Sequence, residues 1–384
     1  IQLYAAGTTG NGSAATPLLT TALTTDATGA FTIPSAYPCP SANSQLYLIA
    51  SGGKVGSAAA NPAITLATVL GVCNQLTASS QFVINEVTTA ATVWALSQFF
   101  TASTSLGASA TNTRGLANAV ATAANLANLT TGASPGATFP ATGTSPAPRI
   151  NTLANLLNTC TAATSSTPCA QLFAAATPGS GATPTTTFAA ALNLARNPGA
   201  NVATLYTQST TSTAFAPALT QAPADWTLFI RYTGGGMNSP TALGIDSTGN
   251  IWVASYFSVV SQFSPTGSPV FANGITGGGL CDSYGLAIDA QNNVWATNEA
   301  DTPRGCVNSV TVLSSSGQFI SGTQGYTAGG FNYPTAIAID TNATAWVVNN
   351  GNSSVTLLSS TGQPLSGAAG YTTPYFAFPI AVAI

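Results

Sequence analysis

Pro240-Thr241-Ala242-Leu243-Gly244-Ile245-Asp246, running on through Ser247-Thr248-Gly249-Asn250-Ile251-Trp252, is a phrase that the chain repeats. Ser-Tyr-Gly-Leu-Ala-Ile-Asp stands at 283–289 and Pro-Thr-Ala-Ile-Ala-Ile-Asp at 334–340. Six residues after Asp246, Asp289 and Asp340 come Trp252, Trp295 and Trp346. A fourth opening, Pro379-Ile380-Ala381-Val382-Ala383-Ile384, occupies 379–384. Ser-Thr-Gly-Asn at 247–250, Ala-Gln-Asn-Asn at 290–293 and Thr-Asn-Ala-Thr at 341–344 are turn-forming and link strand to strand. Each copy then carries a second hairpin, turning at 264–267, 314–317 and 359–362.

The repeat length of 43 to 51 residues falls where propeller blades fall. A propeller closes a ring of blades and so leaves no long sheet edge bare. Three blades and the start of a fourth do not close, and the expectation is that the sequence is part of a longer chain. The phrase Pro-x-x-(Ile/Leu)-Ala-(Ile/Val)-Asp-x-x-Gly-Asn-x-Trp-Val resembles that of the NHL-repeat propeller family over about 160 residues, 223–384. Two copies depart from it locally: Asn293 has no Gly before it, and Ala343-Thr344 replaces Gly-Asn. The resemblance implies a secreted bacterial type of protein.

The rest of the chain predicts a multidomain α+β fold. Residues 1–75 read as a small β-domain, with strands at Ile1–Tyr4 and Leu46–Ala50 and a turn at 25–29 leading into a strand through Phe31 and Ile33. The pattern Thr25-Asp26-x-x-Gly29-x-Phe31-x-Ile33 resembles the carboxypeptidase-regulatory or prealbumin-like β-sandwich modules of secreted proteins. That resemblance implies an earlier strand, here missing, beside Ile1. Residues 76–222 read as a helical domain, with helices over 82–96, 113–129, 150–157, 169–175 and 186–196, and with Asn197-Pro198-Gly199 as a stop. Pro/Gly/Ser/Thr-rich linkers at 131–148 and 176–185 separate them.

Only 4% of residues are charged, against roughly a quarter in an ordinary soluble protein. Six scattered basic residues cannot neutralise a phosphate backbone, so nucleic acid is excluded as a partner. No run of about 18 apolar residues exists to span a membrane. The six cysteines fall in local pairs, Cys39 with Cys73, Cys160 with Cys169 and Cys281 with Cys306, without zinc-type spacing. Three disulfides in an oxidising compartment is the expectation, with buried free thiols as the competitor.

The chain contains no His, which removes His-based nucleophilic, acid–base and metal chemistry together. No enzyme activity, cofactor or metal is therefore expected. Asp282, Glu299 and Asp301 near the Cys281–Cys306 loop could hold calcium, but their spacing matches no established loop. Lys54 and Glu86 could join an Asn in a self-formed isopeptide bond, as in some surface sandwich modules. Asp246, Asp289 and Asp340 read as turn residues and Trp252, Trp295 and Trp346 as packing residues, rather than as catalytic carboxylates and a sugar platform.

The functional expectation is a secreted, non-enzymatic structural or cell-surface protein that self-assembles, possibly into a filament. A surface of Ser, Thr, Asn, Gly and Ala favours contact between like subunits. Ile1 at one end and Pro379, Ile380, Val382 and Ile384 at the other are the assembly candidates. The alternative is a propeller-based module that binds glycan or peptide.

Overall fold

Strand β1 (Gln2–Ala5) pairs with a short β2 (Thr16–Pro17) on one side and with β3 (Gln45–Ser51) on the other, and β4 (Thr65–Val72) completes the sheet in the order β2-β1-β3-β4. The computed structural model describes residues 1–34 and 37–384, which divide into two compact units, 1–231 and 232–384.

In the first unit the sheet is apolar on both faces, as the period of two requires when both are covered. Leu3, Ala5, Leu46, Leu48 and Leu70 meet Leu18, Leu19, Phe31 and Ile33, which are loop residues. Tyr47, Ile49, Ala67 and Val69 on the other face share a core with Val87, Ala90, Ala91 and Val93 of helix α1 (Glu86–Leu96). The second layer over 1–75 is thus helix and loop, which corrects the expected two-sheet sandwich. The turn at Asp26 forms, its Oδ1 accepting from Thr28 N (2.8 Å) and Ala30 N (3.0 Å). The strand expected after it does not form: Phe31 and Ile33 are held by apolar packing instead. The edge of β1 is not open, because Thr16–Pro17 pairs along it and Leu23 N donates to the Ile1 carbonyl (2.8 Å).

β4 is an edge strand, yet its outward backbone groups are satisfied by side chains. Thr65 N donates to Thr187 Oγ1 (2.9 Å), Ala67 N to Thr89 Oγ1 (2.9 Å) and Val69 N to Thr92 Oγ1 (3.3 Å), and all three threonines are buried.

The helices begin where their caps permit. α1 starts at Glu86 rather than near Phe82, since Asn85 and Thr88 form a reciprocal capping box. A short hairpin of β5 (Phe100–Ala102) and β6 (Ser105–Leu106) comes next, and helices α2 (Thr113–Leu126), α3 (Ala147–Thr161), α4 (Thr167–Ala175), α5 (Thr187–Arg196) and α6 (Val202–Ser209) follow. α3 gains a turn before Ile150 because Pro148 suits a first helical turn. α6 was not legible as a helix. Trp226 is fully buried in this unit's core.

The second unit holds three small antiparallel sheets. The first is β7 (Pro240–Ile245), β8 (Ile251–Ser255) and β9 (Val259–Phe263). The second is β10 (Ser283–Ile288), β11 (Val294–Asn298) and β12 (Ser309–Leu313). The third is β13 (Pro334–Ile339), β14 (Ala345–Asn349), β15 (Ser354–Leu358) and a short β16 (Tyr371–Thr372). Gly267, Gly317 and Gly362 close the second hairpins at φ +87°, +78° and +78°, a conformation that glycine takes without a Cβ penalty.

Successive sheets stack as propeller-like blades. Trp252, Val260 and Leu280 pack on Val294, Ala296 and Leu313 of the next blade. Trp295, Val310 and Val312 pack in the same way on Ile337, Val347 and Leu358. Among the described residues no helix is long and apolar enough to cross a membrane.

Candidate functional site

The repeated aspartates are turn anchors tied to the tryptophans. Asp246 Oδ1 accepts from the backbone N of Thr248 and of Asn250 (both 2.9 Å), while Oδ2 accepts from Trp252 Nε1 (3.0 Å). Asp289 Oδ2 accepts from Trp295 Nε1 and Asp340 Oδ2 from Trp346 Nε1, each at 3.1 Å. The six-residue spacing is therefore the reach from a strand-end carboxylate across the turn to an indole in the next strand.

Burial opposes ionisation at Asp246, but hydrogen bonds from Thr248, Trp252 and Asn250 together outweigh it and hold the carboxyl below its ordinary 3.8. The Thr344 backbone N–H, with the Trp346 indole and Asn342 N–H, does the same for Asp340. A carboxylate with a lowered folded value stabilises the fold above its unfolded value, and that contribution is lost as pH falls through the folded one. The melting temperature of the second unit should therefore not suffer from these two groups between neutrality and about pH 4, then fall below it. Asp246→Asn should lower the plateau and shallow the acid fall, as measured by circular dichroism against pH.

The opposite ends of the strands differ from blade to blade. The residue before each first strand is left-handed: Ser239 (φ 55°), Asp282 (φ 37°) and Tyr333 (φ 50°), with Phe378 (φ 47°) before the fourth phrase. Each of the first three accepts a backbone N–H from the loop after the second strand, at Tyr256, Glu299 and Asn350 respectively. One scaffold thus presents Ser239/Tyr256, Asp282/Glu299 and Tyr333/Asn350 at equivalent places. Structural positions repeat, and these rim positions do not.

Charge gathers on this rim. Of six basic and nine acidic residues in the chain, Asp282, Glu299, Asp301 and Arg304 lie within it or in its loop. Arg304 pairs with both Asp282 and Asp301, and its guanidinium carbon lies 5.9 Å from the ring centroids of Tyr256 and Phe257. Tyr256 meets Tyr284 edge-on at 5.7 Å between centroids. The Cys281–Cys306 disulfide ties the loop that carries Arg304 to the segment that carries Asp282, just before the strand Ser283–Ile288. Burial, reinforced by Asp282 and Asp301, pushes the Glu299 carboxyl above its ordinary 4.5. Asp282 raises the Tyr256 hydroxyl, and burial followed by Glu299 raises that of Tyr284. Glu299 makes no ion pair among the described residues; its carboxyl meets the Tyr284 hydroxyl instead.

Of the acids singled out for calcium, Asp282 and Asp301 both pair with Arg304, which takes the place of a cation between them. Among the described residues no group of three His, Cys, Asp or Glu side chains converges on a metal-sized site. Lys54 is exposed, while Glu86 is buried and accepts from Asn158 Nδ2 (3.0 Å) and from Thr161 Oγ1. Cys39–Cys73, Cys160–Cys169 and Cys281–Cys306 are all bonded. Residues 379–384 form no strand; the Pro379 carbonyl accepts from Thr335 Oγ1 and Asn350 Nδ2 (both 3.4 Å), and Ile380 and Ile384 are 73% and 70% exposed. Tyr256, Phe257, Tyr284 and Arg304 were missed in the sequence. The signal that could have found them is variation at fixed places in an otherwise repeating unit.

No protein-family model and no curated protein matches the chain. Solved structures similar to it include a streptogramin B lyase (15% identity, 38% of this chain and 44% of that one, TM-score 0.27) and a nidogen/laminin complex (13%, 38% and 52%, TM-score 0.28). A gluconolactonase from Xanthomonas campestris is another (21%, 40% and 53%, TM-score 0.28). The chain spans about half the length of these structures. Two of the three are enzymes, which corrects the expectation of a non-enzymatic protein. That expectation rested on the missing His, yet acid–base chemistry also runs on a carboxyl of raised pKa such as Glu299. A propeller-like fold does not by itself show an activity.

Proposed function

We propose that this chain is a secreted propeller protein of the NHL-repeat type that binds a basic peptide on the rim formed by Tyr256, Tyr284, Glu299 and Arg304. The observation that carries the reading is Glu299, a carboxyl without a cationic partner, set beside two further acids and two tyrosine rings. A Lys or Arg side chain entering there would meet the carboxylate and an aromatic face at once. The disulfides fit an oxidising, extracellular setting.

The test is calorimetric titration with an Arg-containing peptide, an acidic peptide of equal length and a neutral oligosaccharide. The basic peptide should bind, weaken with salt, and lose about tenfold in affinity with Glu299→Gln, the equivalent of one partly exposed charge contact. Binding of the oligosaccharide alone would replace peptide by glycan as the ligand. No binding of any of the three would sink the reading.

A further inference from the structure

A cleft of about 430 Å³ opens in the first unit between the end of α3, the start of α4 and the end of α6. That volume falls within the roughly 300–1,000 Å³ of small-ligand sites. The lining is neutral and non-aromatic, made of hydroxyls and amides with Ala163 and Pro168 among its apolar part. Serine and threonine are plentiful throughout this chain, so a polar lining alone selects nothing. What sets the cleft apart is a fixed frame and one unmatched acceptor.

The Cys160–Cys169 disulfide joins α3 to α4, with Cα atoms 4.4 Å apart. Gln208 Nε2 of α6 donates to the Gln171 carbonyl of α4 (3.3 Å), and Ser212 Oγ donates to Asn158 Oδ1 of α3 (2.8 Å). The Asn158 amide is itself oriented, because its Nδ2 donates to the Glu86 carboxylate (3.0 Å), which only accepts. Three helices are thus tied together at the cleft. Gln208 Oε1, by contrast, is buried and has no donor among the described residues. Buried acceptors are seldom left so, and each calls for an explanation.

We infer that this cleft binds one or two rings of a neutral sugar. A ligand hydroxyl supplies the donor that Gln208 Oε1 lacks, after a small turn of that half-buried side chain. The Gln171 amide, exposed in the same lining, offers the sugar both a donor and an acceptor. The C–H face of the ring lies on Ala163 and Pro168. A charged ligand meets no opposite charge in the lining, and the one acid nearby, Glu86, is already engaged by Asn158 and Thr161. A wholly apolar ligand would strand the amides without partners. The inference is independent of the peptide reading, whose rim belongs to the other unit.

Saturation-transfer difference NMR on the full chain tests it with the neutral disaccharides cellobiose, maltose and lactose, and with glucosamine and galacturonate as charged controls. At least one neutral disaccharide should bind saturably and keep its affinity as salt is raised, whereas the charged sugars should not bind. Gln171→Ala should weaken binding about tenfold, as the loss of a donor and an acceptor together implies. Ala163→Trp should fill the cleft and abolish binding, with folding checked by unchanged far-UV circular dichroism. Glu299→Gln should leave sugar binding as it is, which separates this site from the rim. The inference is overturned if no neutral disaccharide binds, if only the charged sugars do, or if binding survives Ala163→Trp in the folded protein.

Discussion

Trp295→Ala is expected to cost the second unit about 3–5 kcal/mol, the range for truncating a buried aromatic. Domains are stable by only about 5–15 kcal/mol, so most of the unit's margin would go. The side chain is 1% exposed in the core between the second and third blades, and its indole N–H satisfies Asp289 Oδ2. The substitution opens a cavity and removes a charge-assisted hydrogen bond in one step. Trp295→Phe should lose less, chiefly the hydrogen bond to the carboxylate, at about 1.5–3 kcal/mol. Trp346→Ala provides the internal control. It makes the same bond to Asp340 but lies half-buried, so its cost should be clearly smaller. Urea denaturation followed by circular dichroism measures all three. Equal costs for Trp295→Ala and Trp346→Ala would mean that stacking between blades contributes little.

Removing the Cys281–Cys306 bridge by the double substitution to alanine should cost about 3 kcal/mol on the chain-entropy account, because the bridge closes a separation of 25 residues. A local effect should accompany it. Asp282 stands in a left-handed conformation beside the bridge, and Arg304 reaches it from inside the closed loop. Without the bridge, the loop through residues 299–307 should become the first site of proteolytic nicking, and peptide binding at the rim should fall together with it. Melting curves and limited proteolysis on the same sample read both effects. A loop that stays resistant would place the ordering in the Arg304 ion pairs rather than in the disulfide.

The blades were legible because a local signal repeats. Aspartate, turn and tryptophan are joined within six residues, and the cysteines lie near their partners in sequence. Helix positions were legible from spacing, although their starts depend on caps such as Asn85 and shifted by several residues. What was not legible is what tertiary neighbours decide. The segment through Phe31 and Ile33 has the alternation of a strand but finds no strand to pair with. The second layer of the first sheet is a helix, a choice that the sheet residues do not encode. The rim joins loops at 256–257, 281–284 and 299–304, and only the stacking of blades brings them together. Counting residue types was also too weak a ground for setting catalysis aside, because the surroundings of a carboxyl decide how it titrates.

The threonines along β4 bear on how this sheet behaves when salt and acidity change. A bare strand edge is a template on which other chains can add, and proteins commonly guard it with lysine or another charge. With so few charged residues, this chain has little of that guard available. Thr65, Ala67 and Val69 instead spend their outward N–H groups on hydroxyls from α5 and α1, so the edge is already engaged when a stranger arrives. A charge guard weakens in brine and changes with acidity. A hydroxyl guard has nothing for salt to screen or for acid to neutralise, and it should hold this sheet monomeric across media in which a lysine-guarded edge would become sticky.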